Sequence, residues 1–271
     1  RRSVARLKEH FVIAGLPRVN EERQSVRGAA AVLAAPQGLD TGRGGIQLRP
    51  SGERELVAEV HRARAEVAGG TIENAAVADH PGGPWERFDQ PLIDVNKQSW
   101  DFMIASNPTV TSTPDGRYLM IYKTCTDGPP PFGGNVLHAV AFADHPTGPF
   151  TRLPDPIFTA AGVQFPAEDP CVWWQQDRYY AVVKDMQGYF TDRGPGLVLF
   201  TSREGTDWRL AAQPFVSARQ LRWADGVVEP VALLDRPQVY VEDGRLRVLV
   251  CAVKPTAEQA LSYNVQIPLD G

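Results

Sequence analysis

Three short segments of this chain place polar or ionisable side chains directly before a proline that opens a β-rich run. They are Asn107 before Pro108, Glu168 and Asp169 before Pro170, and Asp235 and Arg236 before Pro237, with the prolines 62 and 67 residues apart. The loops just ahead add Asp101, Asp225 and Glu229. If the three runs are equivalent strands around one axis, their first residues converge and several carboxylates share a pocket. Crowding then raises the pKa of one carboxyl, so that it can act as an acid beside an ionised neighbour. Hydrolysis of a glycosidic bond needs such a pair. One group protonates the leaving oxygen, and the other activates water or attacks the sugar. An Asp before Pro also starts turns, so recurrence at one strand position carries the argument rather than any single residue.

Glu168, Asp169, Asp235 and Asp101 are therefore the candidate catalytic residues. Asn107 and Arg236 join them as candidate substrate-binding residues at the strand heads. Lys123 and Lys184 end the second strand of two hairpins, where they could donate to sugar hydroxyls. Trp100 and Trp223 lie in loops leading to the same runs, where an aromatic face could stack on a sugar. His145 and its counterpart His80 occupy matching turn positions, which marks them as turn chemistry. Trp85, Phe150 and Trp208 recur in one slot and are expected to pack between strands. Trp173 and Trp174 are adjacent in a strand and must face opposite ways.

A long internal repeat positions these residues. The segment AAVADHPGGPWERFDQPLI from Ala75 recurs as AVAFADHPTGPFTRLPDPIF from Ala139, with Asp79, His80 and Pro81 matched 65 positions later. A degenerate third copy runs from Leu197 to Phe215. Hairpins interleave with these copies, signalled by Asp115-Gly116, by Asp243-Gly244 and more weakly by Gln176-Asp177-Arg178. Each unit supplies about four strands, and four-stranded sheets repeated radially make a β-propeller. The expected fold is all-β, a five-bladed type of propeller with about three recognisable blades in residues 71–271.

Residues 1–70 differ in kind. They hold none of the six Trp or seven Tyr, and eleven of their twelve basic residues are Arg. Leu56, Val57, Val60 and Ala63 fall at helical spacing behind Ser51 as an N-cap, which predicts a helix near residues 52–67. Residues 1–70 are accordingly expected to be an atypical, partly helical segment ahead of the propeller domain.

Bulk properties narrow the partners. A net charge of -4 gives no reason to expect nucleic acid or an anionic membrane surface. No run of eighteen apolar residues spans a bilayer. Lys8, Glu9 and His10 interrupt the apolar start too closely for a secretory signal. Cys125, Cys171 and Cys251 show no CxxC spacing and lie in strand-like runs, as small buried hydrophobes do. No ligand spacing demands a metal, so no cofactor is required; a divalent cation such as calcium in the channel stays open.

The motifs SNPTV…DGRYLMIYK, FPAEDPCVWW…YYAVVKD and LLDRPQVYVEDG, with the ADHPxGPW/F repeats between them, resemble five-bladed β-propeller glycosidases in the manner of families 43, 62 and 117. The resemblance covers roughly Thr71 to the C-terminus. It implies a carbohydrate substrate and is compatible with a secreted or periplasmic location. In such enzymes one Asp is the base, a second Asp orients and tunes, and a Glu is the acid. By that resemblance Asp169 holds the orienting place, and Asp235 holds the acid's place, one methylene shorter than Glu. One or two further blades are implied before Thr71, and residues 1–70 do not read as such. Two alternatives accompany glycoside hydrolysis. One is a catalytically silent carbohydrate-binding propeller; the other is a glycoside phosphorylase using Arg219, Arg222 and Arg236.

Overall fold

A computed structural model describes residues 56–63, 72–77, 86–87, 90–129, 133–242, 245–258 and 262–269. Every regular element among them is a strand. The first three are β1 (Leu56–Ala63), β2 (Ile72–Val77) and β3 (Glu86–Arg87). A first blade follows: β4 (Ala105–Ser112), β5 (Tyr118–Cys125), β6 (Val136–Ala143) and β7 (Thr151–Arg152). The second is β8 (Ala167–Gln175), β9 (Arg178–Asp185), β10 (Gly196–Ser202) and β11 (Arg209–Ala218). A small hairpin, β12 (Gln220–Arg222) and β13 (Val228–Pro230), leads into β14 (Leu233–Glu242), β15 (Arg245–Lys254) and β16 (Tyr263–Pro268). Within each blade, neighbours in sequence pair antiparallel, and a single parallel bridge, Ile72 to Ala105, joins β2 to the first blade. This is the repeated-sheet architecture expected of a β-propeller.

The helix expected near residues 52–67 is not what forms over its described part. Leu56–Ala63 is β1, hydrogen-bonded antiparallel to β2 across the composition change at residue 70. Val57 and Val60 are β-branched and favour extended backbone. The ladder offered by β2 outweighs what a short, incompletely capped helix gains alone. Ser51, His80, Trp85 and the Asp243-Gly244 turn lie outside the described residues, though Glu242 and Arg245 on either side of that turn are paired.

Blade faces are set by strand alternation. On β5, Leu119 and Ile121 enter the core shared with the second blade, while Met120 and Tyr122 enter a separate cluster with Ile93 and Ala105. On β9, Ala181 and Val183 face the first blade, and Val182 faces the third. Trp173 belongs to the core between second and third blades, whereas Trp174 packs into the core between first and second. Each blade is therefore buried on both faces, which is why its strands read as nearly continuous apolar runs. Burial of each such side chain contributes about 1.5–3 kcal/mol. Trp208 and Phe150 pack as their shared slot predicts, and all three cysteines are buried. His145 bonds Thr147 within its own turn.

Gly205 shows how tightly the first seam closes. Its φ is +78°, and a Cβ there would stand 2.2 Å from Leu119 Cδ1 and 3.2 Å from the Phe142 ring. Leu119 is fully buried and has no room to withdraw. Gly205→Ala is expected to destabilise the fold by about 2–4 kcal/mol, from left-handed strain plus overpacking, as read by denaturant unfolding.

Candidate active site

The inner strands β4, β8 and β14 share a backbone device at their heads. Register breaks between Ser106 and Thr109, between Glu168 and Cys171, and between Asp235 and Gln238. In each case two residues oppose one on the second strand, which is a β-bulge. The first bulged residue is left-handed every time: Asn107 at φ 51°, Asp169 at 50° and Arg236 at 51°. The second is a proline, which has no N–H to lose from the ladder. The three bulges lie at equivalent places on consecutive blades, so their side chains come together.

Asp169 is the hub of that meeting. Asn107 Nδ2 donates to Asp169 Oδ1 at 2.8 Å, and an Arg236 guanidinium nitrogen stands 3.8 Å from the same oxygen. The residue before each of the second and third bulges belongs to a parallel chain of charges. Lys123 Nζ lies 3.2 Å from Glu168 Oε1, and Lys184 Nζ lies 3.1 Å from Glu168 Oε2. Lys184 also reaches Asp235 Oδ1 at 2.8 Å, close as an ion pair although off the angle of an aligned hydrogen bond. Strand register explains the reach, because Lys184 sits directly opposite Glu168 on β9. Lys123–Glu168–Lys184–Asp235 thus crosses three blades.

The two neighbouring carboxyls are pushed in opposite directions. Burial works against the Glu168 carboxylate, but Lys184 and Lys123 outweigh it and hold its pKa below the usual range. Burial raises Asp169, and the Glu168 charge adds to that, against the opposing pull of Arg236 and the Asn107 amide. Burial also opposes the Lys184 ammonium, yet Glu168 and Asp235 leave its pKa raised. Two carboxyls whose environments separate their pKa values are the pattern of an acid beside an anion.

Seven sequence-predicted residues are brought together: Asn107, Lys123, Glu168, Asp169, Lys184, Asp235 and Arg236. Three are held elsewhere. Asp101 is buried against Arg152 at 2.8 Å and accepts from the Tyr122 hydroxyl at 3.1 Å. Tyr122 and Lys123 are neighbours in β5, so Asp101 serves the face opposite the charge chain. The Trp100 indole donates to the Pro154 carbonyl at 2.7 Å and packs beside Tyr122. The Trp223 indole donates to Glu229 at 2.8 Å. Of the three arginines weighed for phosphate, Arg219 donates to the Met186 carbonyl, and Arg236 faces Asp169. Among the described residues, no group of three or more His, Cys, Asp or Glu is arranged to hold a metal ion.

Sequence reasoning passed over His138 and Asp185. His138 lies directly across from Lys123 on β6, fully buried beside the Phe158 ring at 5.8 Å. Its signal was a polar residue inside the apolar run VLHAVAF, opposite a lysine once the hairpin register is set. Asp185, at the end of β9, accepts from the backbone N–H of Gly188, Tyr189 and Phe190 at 2.8, 2.7 and 3.0 Å. An Asp followed three residues later by Gly is the corresponding turn signal.

No family model matches the chain, and no curated protein matches its sequence. Its fold is that of the β-propeller glycoside hydrolases. A solved glycoside hydrolase superposes with a TM-score of 0.58 at 12% identity, covering 83% of this chain and 65% of that one. A thermostable family-43 glycoside hydrolase gives a TM-score of 0.52 at 12% identity, covering 79% and 69%. The exo-β-1,3-galactanase of Phanerochaete chrysosporium gives 0.50 at 14% identity, covering 80% and 44%. This chain spans between 44% and 69% of the length of those three structures.

His138 sets an acid limit on stability. Burial, then the Lys123 charge, lowers its pKa from 6.5 to about 3, against a smaller raising effect from Glu168. Between those values the unfolded chain binds a proton that the fold refuses, so stability falls as pH drops through this window. Unfolding at about pH 7 and about pH 4.5 should show a loss of about 2–3 kcal/mol from this group. His138→Phe should remove it. The loss that remains at lower pH belongs to Glu168, whose lowered pKa gives stability that disappears as pH falls through it.

Proposed function

We propose that the channel binds carbohydrate and hydrolyses a glycosidic bond, with Asp169 as proton donor and Asp235 as the anionic partner. The observation that carries this reading is the opposite displacement of Asp169 and Glu168 at the head of one strand. Asp169 is buried, raised and aimed among side chains from three blades, as a general acid requires. Asp235 stands on the next inner strand with Lys184 as counter-ion, in the place that glycosidases of this fold give to a catalytic carboxyl. Glu168 has both oxygens engaged by lysines, and its role is to fix Lys184 rather than to move protons.

In the proposed step the glycosidic oxygen takes the Asp169 proton as its bond to the anomeric carbon breaks. The Asp235 carboxylate stabilises the developing positive charge on the sugar and serves the incoming water or the sugar itself. Lys123 and Lys184 donate toward hydroxyls only with N–H groups that the carboxylates leave over.

A second reading, a carbohydrate-binding propeller without catalysis, is favoured by the same Lys184. It neutralises Glu168 and Asp235 together, and Asp is shorter than the Glu that glycosidases of this fold usually carry there. Aryl glycosides and plant or algal oligosaccharides, with and without phosphate, separate hydrolysis, phosphorolysis and binding alone. Asp169→Asn and Asp235→Asn are each expected to lower kcat/KM by about 10²–10⁴-fold while leaving binding in place. With the acid removed, the alkaline limb of the rate profile should also vanish in Asp169→Asn. Full hydrolytic rate in both variants would sink the assignment; sugar binding by an inert wild type would establish the second reading.

A further inference from the structure

Four of the six exposed large apolar side chains among the described residues lie at one end of the propeller, where the inner strands begin. They are Tyr189, Val227, Val228 and Tyr263. Register places them there. Tyr189 sits in the loop joining β9 to β10, and both strands meet that loop at Asp185 and Gly196, alongside Ala167 at the head of β8. Tyr263 opens β16 opposite Val253, which pairs with Leu234 at the head of β14. Val227 and Val228 belong to the β12–β13 hairpin, carried by the connection between Ala218 and Leu233. Glu168, Asp169 and Asp235 open onto this same end.

The rim is built rather than loose. Buried Asp185 clamps the Tyr189 loop through three backbone N–H groups. Phe190 turns inward and meets Phe200 edge-on at 5.0 Å, leaving its neighbour Tyr189 outside at 44% exposure. Arg219, at the foot of the hairpin, donates to the Met186 carbonyl at 3.1 Å and ties the loop to the hairpin. Across the hairpin, Glu229 stands near enough to Tyr263 to add to the effect of burial on its hydroxyl. A rigid loop that holds an aromatic ring in water gains nothing in folding from that ring, but loses little entropy when a ligand covers it.

The geometry points to an extended carbohydrate platform on this rim. A sugar chain leaves the carboxylate pocket, stacks on Tyr189, crosses the hairpin and stacks again on Tyr263. The inference rests on the reading of the pocket as a carbohydrate site, and it names the substrate class as an oligosaccharide or polysaccharide rather than a single-sugar conjugate. The C–H face of a sugar ring suits a tyrosine face, and its hydroxyl edge suits the phenol and neighbouring charges. Arg222 and Asp225, exposed between the two rings, break the apolar surface that a protein partner would need.

Calorimetry of the full chain with arabino-, xylo- and galacto-oligosaccharides, from monosaccharide to hexasaccharide, tests the platform. Tyr189→Ala and Tyr263→Ala should each weaken binding of the longest bound oligosaccharide by about three- to tenfold, the range expected for one aromatic contact. Monosaccharide binding should not change, and Tyr→Trp should restore the loss. If the wild type binds sugars and the alanine variants match it at every length, the platform is overturned and the pocket stands. Equal weakening for short and long ligands overturns it too, as does loss of self-association in place of sugar binding. If the wild type binds none of these sugars at any length, the pocket reading fails first and takes the platform with it.

Discussion

Everything in the channel depends on a backbone residue held in an unfavourable conformation three times over. A residue before proline is driven toward extended geometry, and a left-handed non-glycine costs of order 1–3 kcal/mol. Asn107, Asp169 and Arg236 accept both penalties at once. What holds them is mutual: Asn107 and Arg236 both turn to the one Asp169 oxygen. Without the bulge, the strand heads would keep their ordinary pleat, and neighbouring residues such as Glu168 and Asp169 would project to opposite faces. With it, both enter networks that reach adjoining blades.

The charges obey the same economy of space. A buried ion is tolerated only when it is paired, and the strand heads meet that demand by alternation of sign across seams. Glu168 is answered on one side by Lys123 from the preceding blade and on the other by Lys184 from its own. Lys184 in turn answers Asp235 from the following blade. His138, pressed beside Lys123, stays neutral for the same reason. The apolar seams bring the blades together, and the ion chain fixes how their heads face one another.

Much of this was legible in the residues. The 65-residue echo and the Asp-Gly turns gave the hairpins, and three X-Pro steps at matching places marked the site. Seven of the ten candidate residues meet there because strand position alone sorted them. Asp101, Trp100 and Trp223 sit in connecting loops, whose course depends on long-range bonds to Arg152, Pro154 and Glu229 that no local pattern encodes. The segment over Leu56–Ala63 has a helical spacing and a strand's pairing partner, and the partner decides. The bulge itself was hidden, since a proline in a strand signals an irregularity without saying which way the chain turns.

The equivalence of the three bulges bears on how such a molecule could change over generations. Each one is a socket of the same shape, and the side chain it displays is nearly independent of the strand behind it. Duplication of an ancestral unit would have copied the socket along with the sheet. Single-codon exchanges at 107, 169 or 236 then alter polarity and reach at the centre while leaving the seams alone. A scaffold of this kind can drift among catalysts and receptors without refolding.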